Sequence, residues 1–111
     1  SMPPSLCLCK LGLLASLSEL GYEIKSNRES GFGRYDVCLF PKDTSKLGII
    51  FEFKKATDKT KNLSGLADFA IKQIEKLHYV TELKSRGVQK ILALGFGFKG
   101  KDVHVKSKFI S

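Results

Sequence analysis

Two acids and a lysine stand where such residues are costly to bury. Glu52 is enclosed by Ile49, Ile50, Phe51 and Phe53. A carboxylate inside such a run must be paired, protonated or bound to a cation, because burying an isolated charge costs many kcal/mol. Lys54 follows two positions later, and strand side chains alternate, so Glu52 and Lys54 share a face. Asp36 lies early in the preceding apolar stretch, just after a glycine-bearing loop. If the two stretches pair as strands through the turn near Asp43, Asp36 and Glu52 meet across the sheet. Two carboxylates and a lysine converging there could hold a divalent cation. Carboxylate oxygens suit magnesium, which takes one or two protein acids and keeps several waters. Such a metal polarises a phosphate and lowers the pKa of a bound water. A lysine beside it could orient that water or stabilise charge developing on phosphorus. The same residues could equally form one ion pair at a strand end and leave one exposed Asp in a turn.

The elements that must position these residues follow from periodicity. Pro3 and Pro4, with Ser5 as cap, open a leucine-rich stretch of helical spacing that stops at Gly21. This predicts a helix over 5–20. Residues 22–25 read as a short strand and 26–33 as a polar loop. Residues 34–40 read as a strand stopped by Pro41. A turn over 42–46 leads to a buried strand over 47–53. After a basic loop over 58–62, Leu66, Ala67, Ala70, Ile71, Ile74, Leu77 and Val80 recur on one face. They predict one helix over 63–85, stopped by Gly87. Residues 88–95 read as a buried strand, Gly95, Gly97 and Gly100 as a turn, and 102–106 as a last strand. Three sequential strands imply an antiparallel meander, and the strand after the long helix is expected to return parallel through a right-handed crossover. The expected class is α/β, a mixed central sheet flanked by helices, in a single domain over 1–111. Gln73 falls inside the apolar stripe of the long helix, where a glutamine needs hydrogen-bond partners. It either caps a backbone group in the core or reaches the carboxylates.

Composition narrows the partners. Nineteen Lys and Arg against eleven Asp and Glu give a formal charge of +8. Such an excess favours polyanions, because each neutralised phosphate releases condensed counterions. The lysines at 55, 59, 61, 99, 101, 106 and 108 are either a phosphate-facing rim or a solvated face. No apolar run reaches the ~20 residues that span a bilayer. The apolar segment over 6–20 is interrupted by Lys10 and Glu19 and has no basic leader, so an intracellular protein is expected, without a signal peptide or membrane contact. Ser1-Met2 reads as an expression scar. Cys7, Cys9 and Cys38 have no framework spacing and read as buried thiols. Gly31-x-Gly33 and Gly95-x-Gly97 lack the remaining features of a nucleotide loop. His78 reads as structural or exposed. Phe96, Phe98 and Phe109 could stack on bases, with core packing favoured for the first two.

The spacing of Asp36 and then Glu52-Phe53-Lys54 resembles the D…(D/E)-x-K signature of the PD-(D/E)XK nuclease superfamily. The order of predicted elements resembles its restriction-endonuclease-like αβββαβ core. The stretch from Ser26 to Asp36, with Asn27-Arg28-Glu29-Ser30-Gly31 and Gly33-Arg34-Tyr35, is similar to that preceding the metal-binding Asp in one branch. That branch is the nuclease domain at the C-terminus of certain AAA-ATPase-like proteins. Residues 49–54 match its Glu-x-Lys strand, and 70–79, with Gln73, Ile74 and Tyr79, match its second helix. Residues 95–103 resemble its closing strands. Tyr35 stands where the superfamily signature has proline.

The resemblance implies roles position by position. Asp36 and Glu52 would bind Mg²⁺ or Mn²⁺, with the Phe53 carbonyl as a further ligand. Lys54 would position or activate the attacking water. Gln73 would orient the lysine or a phosphate. Many members add an acid from the first helix. Glu19 is the candidate here, Glu29 is its competitor, and the choice stays open. Arg28, Arg34 and Lys55 are either phosphate contacts or ordinary surface charge. The implied activity is metal-dependent hydrolysis of nucleic-acid phosphodiester bonds, with a deoxyribonuclease placed ahead of a ribonuclease. The implied partners are DNA and either a second copy or a fused ATPase-like domain. The alternative is a catalytically inactive module of the same fold that binds nucleic acid or a protein.

Overall fold

Two stretches in which apolar residues alternate with polar ones, and then one nearly continuous apolar run, each form a strand. In the computed structural model, which describes residues 16–29 and 34–110, these are β1 (Tyr22–Glu29), β2 (Arg34–Pro41) and β3 (Gly48–Lys55). Helices α1 (Leu63–Glu75) and α2 (His78–Ser85) follow, then β4 (Ile91–Lys99) and β5 (Asp102–Ile110). The strands form one sheet in chain order, β1-β2-β3-β4-β5. Only the β3–β4 pair is parallel, and the two helices fill the connection between them. A parallel pair needs such a crossover, whereas antiparallel neighbours do not. Residues 16–19 are helical; the rest of the helix expected over 5–20 lies outside the described residues, as do Cys7 and Cys9.

β5 runs to Ile110 instead of ending at Lys106, and three other elements differ from the sequence reading by more than two residues. β1 runs on to Glu29, because its second half pairs with β2 as far as Glu29 opposite Arg34. The single helix expected over 63–85 is two. Leu77 is extended (φ −79°, ψ 149°), so α1 ends at Glu75 and α2 restarts at His78. The break lets α2 settle on β1 and β2. There Tyr79 packs edge-on against Phe40 at 6.1 Å, and Lys25 reaches Glu82 at 2.7 Å. Arg86 joins Glu82 and Glu23 at 2.6 and 2.9 Å. The third difference is β4, which continues through Gly95 and Gly97; only Gly100, at φ +58°, makes the turn into β5. The two strand glycines serve helix packing. A Cβ on Gly95 would lie 2.5 Å from the Ala67 carbonyl oxygen, and one on Gly97 would lie 2.8 Å from that of Leu63. α1 therefore sits directly on β4, at a distance only glycine allows.

The sheet has two unlike faces. Cys38, Phe40, Ile50, Ile91 and Ala93 meet Ile71, Ile74 and Leu83 beneath the helices. The opposite face carries Tyr35, Val37 and Leu39, with Leu17, Ile24 and Phe51 packed against them. Asn62 caps α1, its side-chain oxygen accepting the Gly65 N–H at 2.6 Å. No helix among the described residues is long and apolar enough to cross a membrane.

Candidate active site

Strand register brings the two acids together. Asp36 on β2 stands directly across the ladder from Glu52 on β3, and Glu52 stands beside Gly95 on β4. Directly opposed residues point to the same face. That face is the one α1 covers, since Gly95 is the position the helix touches. Gly95 has no side chain, and the space over it is filled by the Ala67 carbonyl and Ile71 of α1, which close the layer beside Glu52. Lys54 lies one same-face step further along β3, opposite Arg34 and beside Gly97.

All three side chains are deeply placed. Asp36 is 3% exposed, Glu52 0% and Lys54 9%. Two acids and one lysine thus occupy the layer between sheet and helix, where a charge must be compensated locally. Lys54 packs its Nζ 4.6 Å from the centroid of the Phe69 ring on α1. Asp68 and Glu75 on α1 reach Lys106 and Lys108 on β5. Phe69 therefore marks the helix flank turned towards β3 and the acids. Gln73 lies one turn further along that flank and is half-buried.

A second group approaches from α2. The Tyr79 hydroxyl lies beside Asp36. Burial first, then hydrogen bonding to Asp36 and the charge of that acid, hold the phenol well above its ordinary value. Cys38 shares the Asp36 face of β2 and is fully buried. Burial, then the charge of Glu82, pushes its thiol far up, so it is an inert core group.

The remaining sequence candidates are placed less centrally. Phe53 turns its ring to the other face, stacked on Phe96 with centroids 4.6 Å apart. Its backbone passes between Glu52 and Lys54. Lys55 is exposed at the end of β3. Glu19 is exposed just ahead of β1. It is separated from the acid row by the run from Tyr22 to Asn27, the residue opposite Asp36, on the order of 16 Å of strand. Glu29 and Arg34 are opposed in the register row that contains Lys54, and Arg28 faces Tyr35. The side chains of Arg28, Glu29 and Arg34 lie outside the described residues. His78 is exposed at the start of α2, Phe98 is buried, and Phe109 is exposed.

Two neighbours of the site carried no assigned role in the sequence. Tyr79 reaches Asp36 only because the helix breaks at Leu77, and nothing local announces that break. Phe69 had a faint signal: it is a large aromatic set off the apolar stripe of an amphipathic helix.

The donor set suits a hard divalent cation, because it offers carboxylate oxygens and no thiolate or imidazole. Among the described residues no third His, Cys, Asp or Glu joins the two acids. A bound metal would complete its shell with backbone oxygen and water. The chain matches the PD-(D/E)XK nuclease superfamily over residues 9–108. Neither a curated protein nor a solved structure shows a significant match to it.

Proposed function

The chain belongs to the PD-(D/E)XK nuclease superfamily, and from that premise we propose that it is a metal-dependent phosphodiesterase acting on nucleic acid, with Asp36, Glu52 and Lys54 at its centre. The α/β fold, a mixed five-stranded sheet with helices, is consistent with the restriction-endonuclease-like core of that superfamily. The observation that carries the proposal is the opposition of Asp36 and Glu52 in the β2–β3 ladder, both buried, with Lys54 next on the same face.

Asp36 and Glu52 are the residues that would hold Mg²⁺ or Mn²⁺, together with the carbonyl of Phe53. When bound, such an ion supplies Lewis-acid polarisation of the phosphate and a more acidic water. Lys54 presents its ammonium to the attacking water and to charge growing on the phosphate oxygens, in a layer where low polarity strengthens each contact. Gln73, on the flank of α1 that faces β3, orients Lys54 or a phosphate oxygen. The formal charge of +8 supports a polyanionic substrate. Lys55 is an exposed contact for the flanking backbone, and Arg28 and Arg34 are further candidates. DNA is the first substrate to try, RNA the second. A second copy or a fused ATPase-like partner would extend the grip of so short a chain on its substrate.

The test is a cleavage assay with Mg²⁺ and with Mn²⁺ on labelled single-stranded, duplex and four-way-junction DNA and on RNA. Glu52→Ala and Lys54→Ala accompany the wild type. Cleavage by the wild type alone upholds the proposal. Binding without cleavage by any of the three replaces it with the inactive binding module.

A further inference from the structure

The geometry points to Phe69 as a base-stacking platform at the mouth of the site, selecting a single-stranded segment beside the scissile phosphate. This rests on the nuclease reading for the identity of the ligand but not for the stacking itself. Phe69 is 50% exposed, on a helix whose apolar stripe is otherwise turned into the core. An isolated surface aromatic means little. This one differs because the Nζ of Lys54, itself only 9% exposed, lies 4.6 Å from its centroid. One face of the ring is thereby held against the buried lysine, in a cation–π contact that fixes its orientation. The exposed part of the ring is left to solvent beside Lys54, the neighbour of the acids on the same face of β3.

A flat aromatic surface held rigidly beside lysines is the arrangement that single strands use. Every base has a π face, and the backbone follows positive charge. Here Lys55 at the end of β3, and Lys59 and Lys61 in the segment joining β3 to α1, are exposed. A strand whose phosphates track those lysines can lay one base on Phe69. Duplex bases are already stacked on their neighbours and cannot use the ring without opening. The inference therefore names the substrate class as single-stranded, or locally opened, nucleic acid.

The experiment measures binding by the full chain in EDTA, by fluorescence anisotropy, to a labelled oligothymidylate strand and to a blunt duplex. Wild type is compared with Phe69→Leu, which keeps bulk but loses the π face, and with Phe69→Trp, which keeps it. The expected result is that Phe69→Leu weakens strand binding by about tenfold. Phe69→Trp restores it, duplex binding is unchanged, and circular dichroism shows all three proteins folded. Equal strand binding by wild type and Phe69→Leu overturns the inference. So does an equal loss on strand and duplex, or a wild type that does not bind the strand. Cleavage of the same strand with Mn²⁺ separates the two readings. If wild type binds through Phe69 but cuts no better than Glu52→Ala, the nuclease reading falls and the platform stands. If wild type cuts and Phe69→Leu binds normally, the platform alone falls.

Discussion

Asp36 and Glu52 face each other across the β2–β3 ladder with 3% and 0% of their surfaces exposed. Directly opposed side chains of an antiparallel pair have Cβ atoms roughly 5 Å apart, and like charges at that separation repel. A divalent cation held by both acids would turn this cost into a binding site formed only in the folded chain.

Metal should therefore raise stability, and only while both acids are present. For a ligand confined to the folded state, a concentration a hundredfold above Kd adds roughly 2.7 kcal/mol. Thermal melts of the wild type with increasing Mn²⁺ should move upwards in a saturable way. Glu52→Ala should show no such movement at any concentration and should cut at background rate. A variant whose melting temperature still climbs with Mn²⁺ would place the metal elsewhere.

Tyr79 offers a subtler handle on the same acid. Its ring packs on Phe40, and its hydroxyl lies beside Asp36. Groups that orient a metal ligand typically contribute about 10- to 100-fold in affinity. Tyr79→Phe keeps the packing and removes the hydroxyl. Without metal its unfolding free energy should fall by about 1–3 kcal/mol, the cost of one hydrogen bond to a buried carboxyl, and Mn²⁺ affinity by calorimetry should fall about tenfold. Unchanged affinity would make the hydroxyl a bystander.

The opposition of Asp36 and Glu52 was legible because strand alternation and a turn near Asp43 suffice to set it. The two-helix connection was not legible. Lys76-Leu77-His78 holds no glycine or proline, and Leu77 continues the apolar spacing of α1. The break is set by distant partners, Phe40 for Tyr79 and Lys25 for Glu82. Gly95 and Gly97 were misread for a related reason. A glycine that makes a turn and one that admits a helix look the same until the helix is in place. The neighbours of the site, Phe69 and Tyr79, depend on how α1 and α2 lie over the sheet. Neither has a spacing that would single it out.

Gly95 gives that close approach a number. Its added Cβ would meet backbone, the Ala67 carbonyl oxygen at 2.5 Å, which cannot swing aside. An added Cβ at Gly48 would meet only the Leu83 and Val88 side chains, the nearest atom at 2.8 Å. Overpacking a rigid core costs typically about 1–3 kcal/mol, and less where side chains can rearrange. Urea unfolding should find Gly95→Ala roughly 3 kcal/mol less stable than wild type, and Gly48→Ala roughly 1 kcal/mol. Equal losses would mean that α1 is not seated on β4 as closely as its carbonyl positions require.

The acidic limb of stability should report the tether of α2. Hydrogen bonding to Lys25, then the charges of Lys25 and Arg86, hold the Glu82 carboxyl below its ordinary value. A group whose pKa falls on folding stabilises the protein above its unfolded value, about 4.3 for glutamate. That contribution drains away as pH drops through the lower folded value. Melting temperature followed from neutral pH downwards should fall more steeply for wild type than for Glu82→Gln below about pH 4.3. The two curves should run parallel above it.

His78→Pro asks whether the helix is truly broken. As the first residue of α2, position 78 has an N–H that helix geometry leaves without an intrahelical acceptor. Leu77 before it already holds the extended conformation that a following proline demands. Proline is favoured at such a first position. In an unbroken helix over 63–85 it would fall mid-helix, remove a hydrogen bond and clash with the preceding turn, at a cost of ~3 kcal/mol or more. The unfolding free energy of His78→Pro from urea titration is expected within about 1 kcal/mol of wild type, with Mn²⁺ binding retained. A loss near 3 kcal/mol would mean that α1 and α2 are continuous in solution, and with that Tyr79 would leave Asp36.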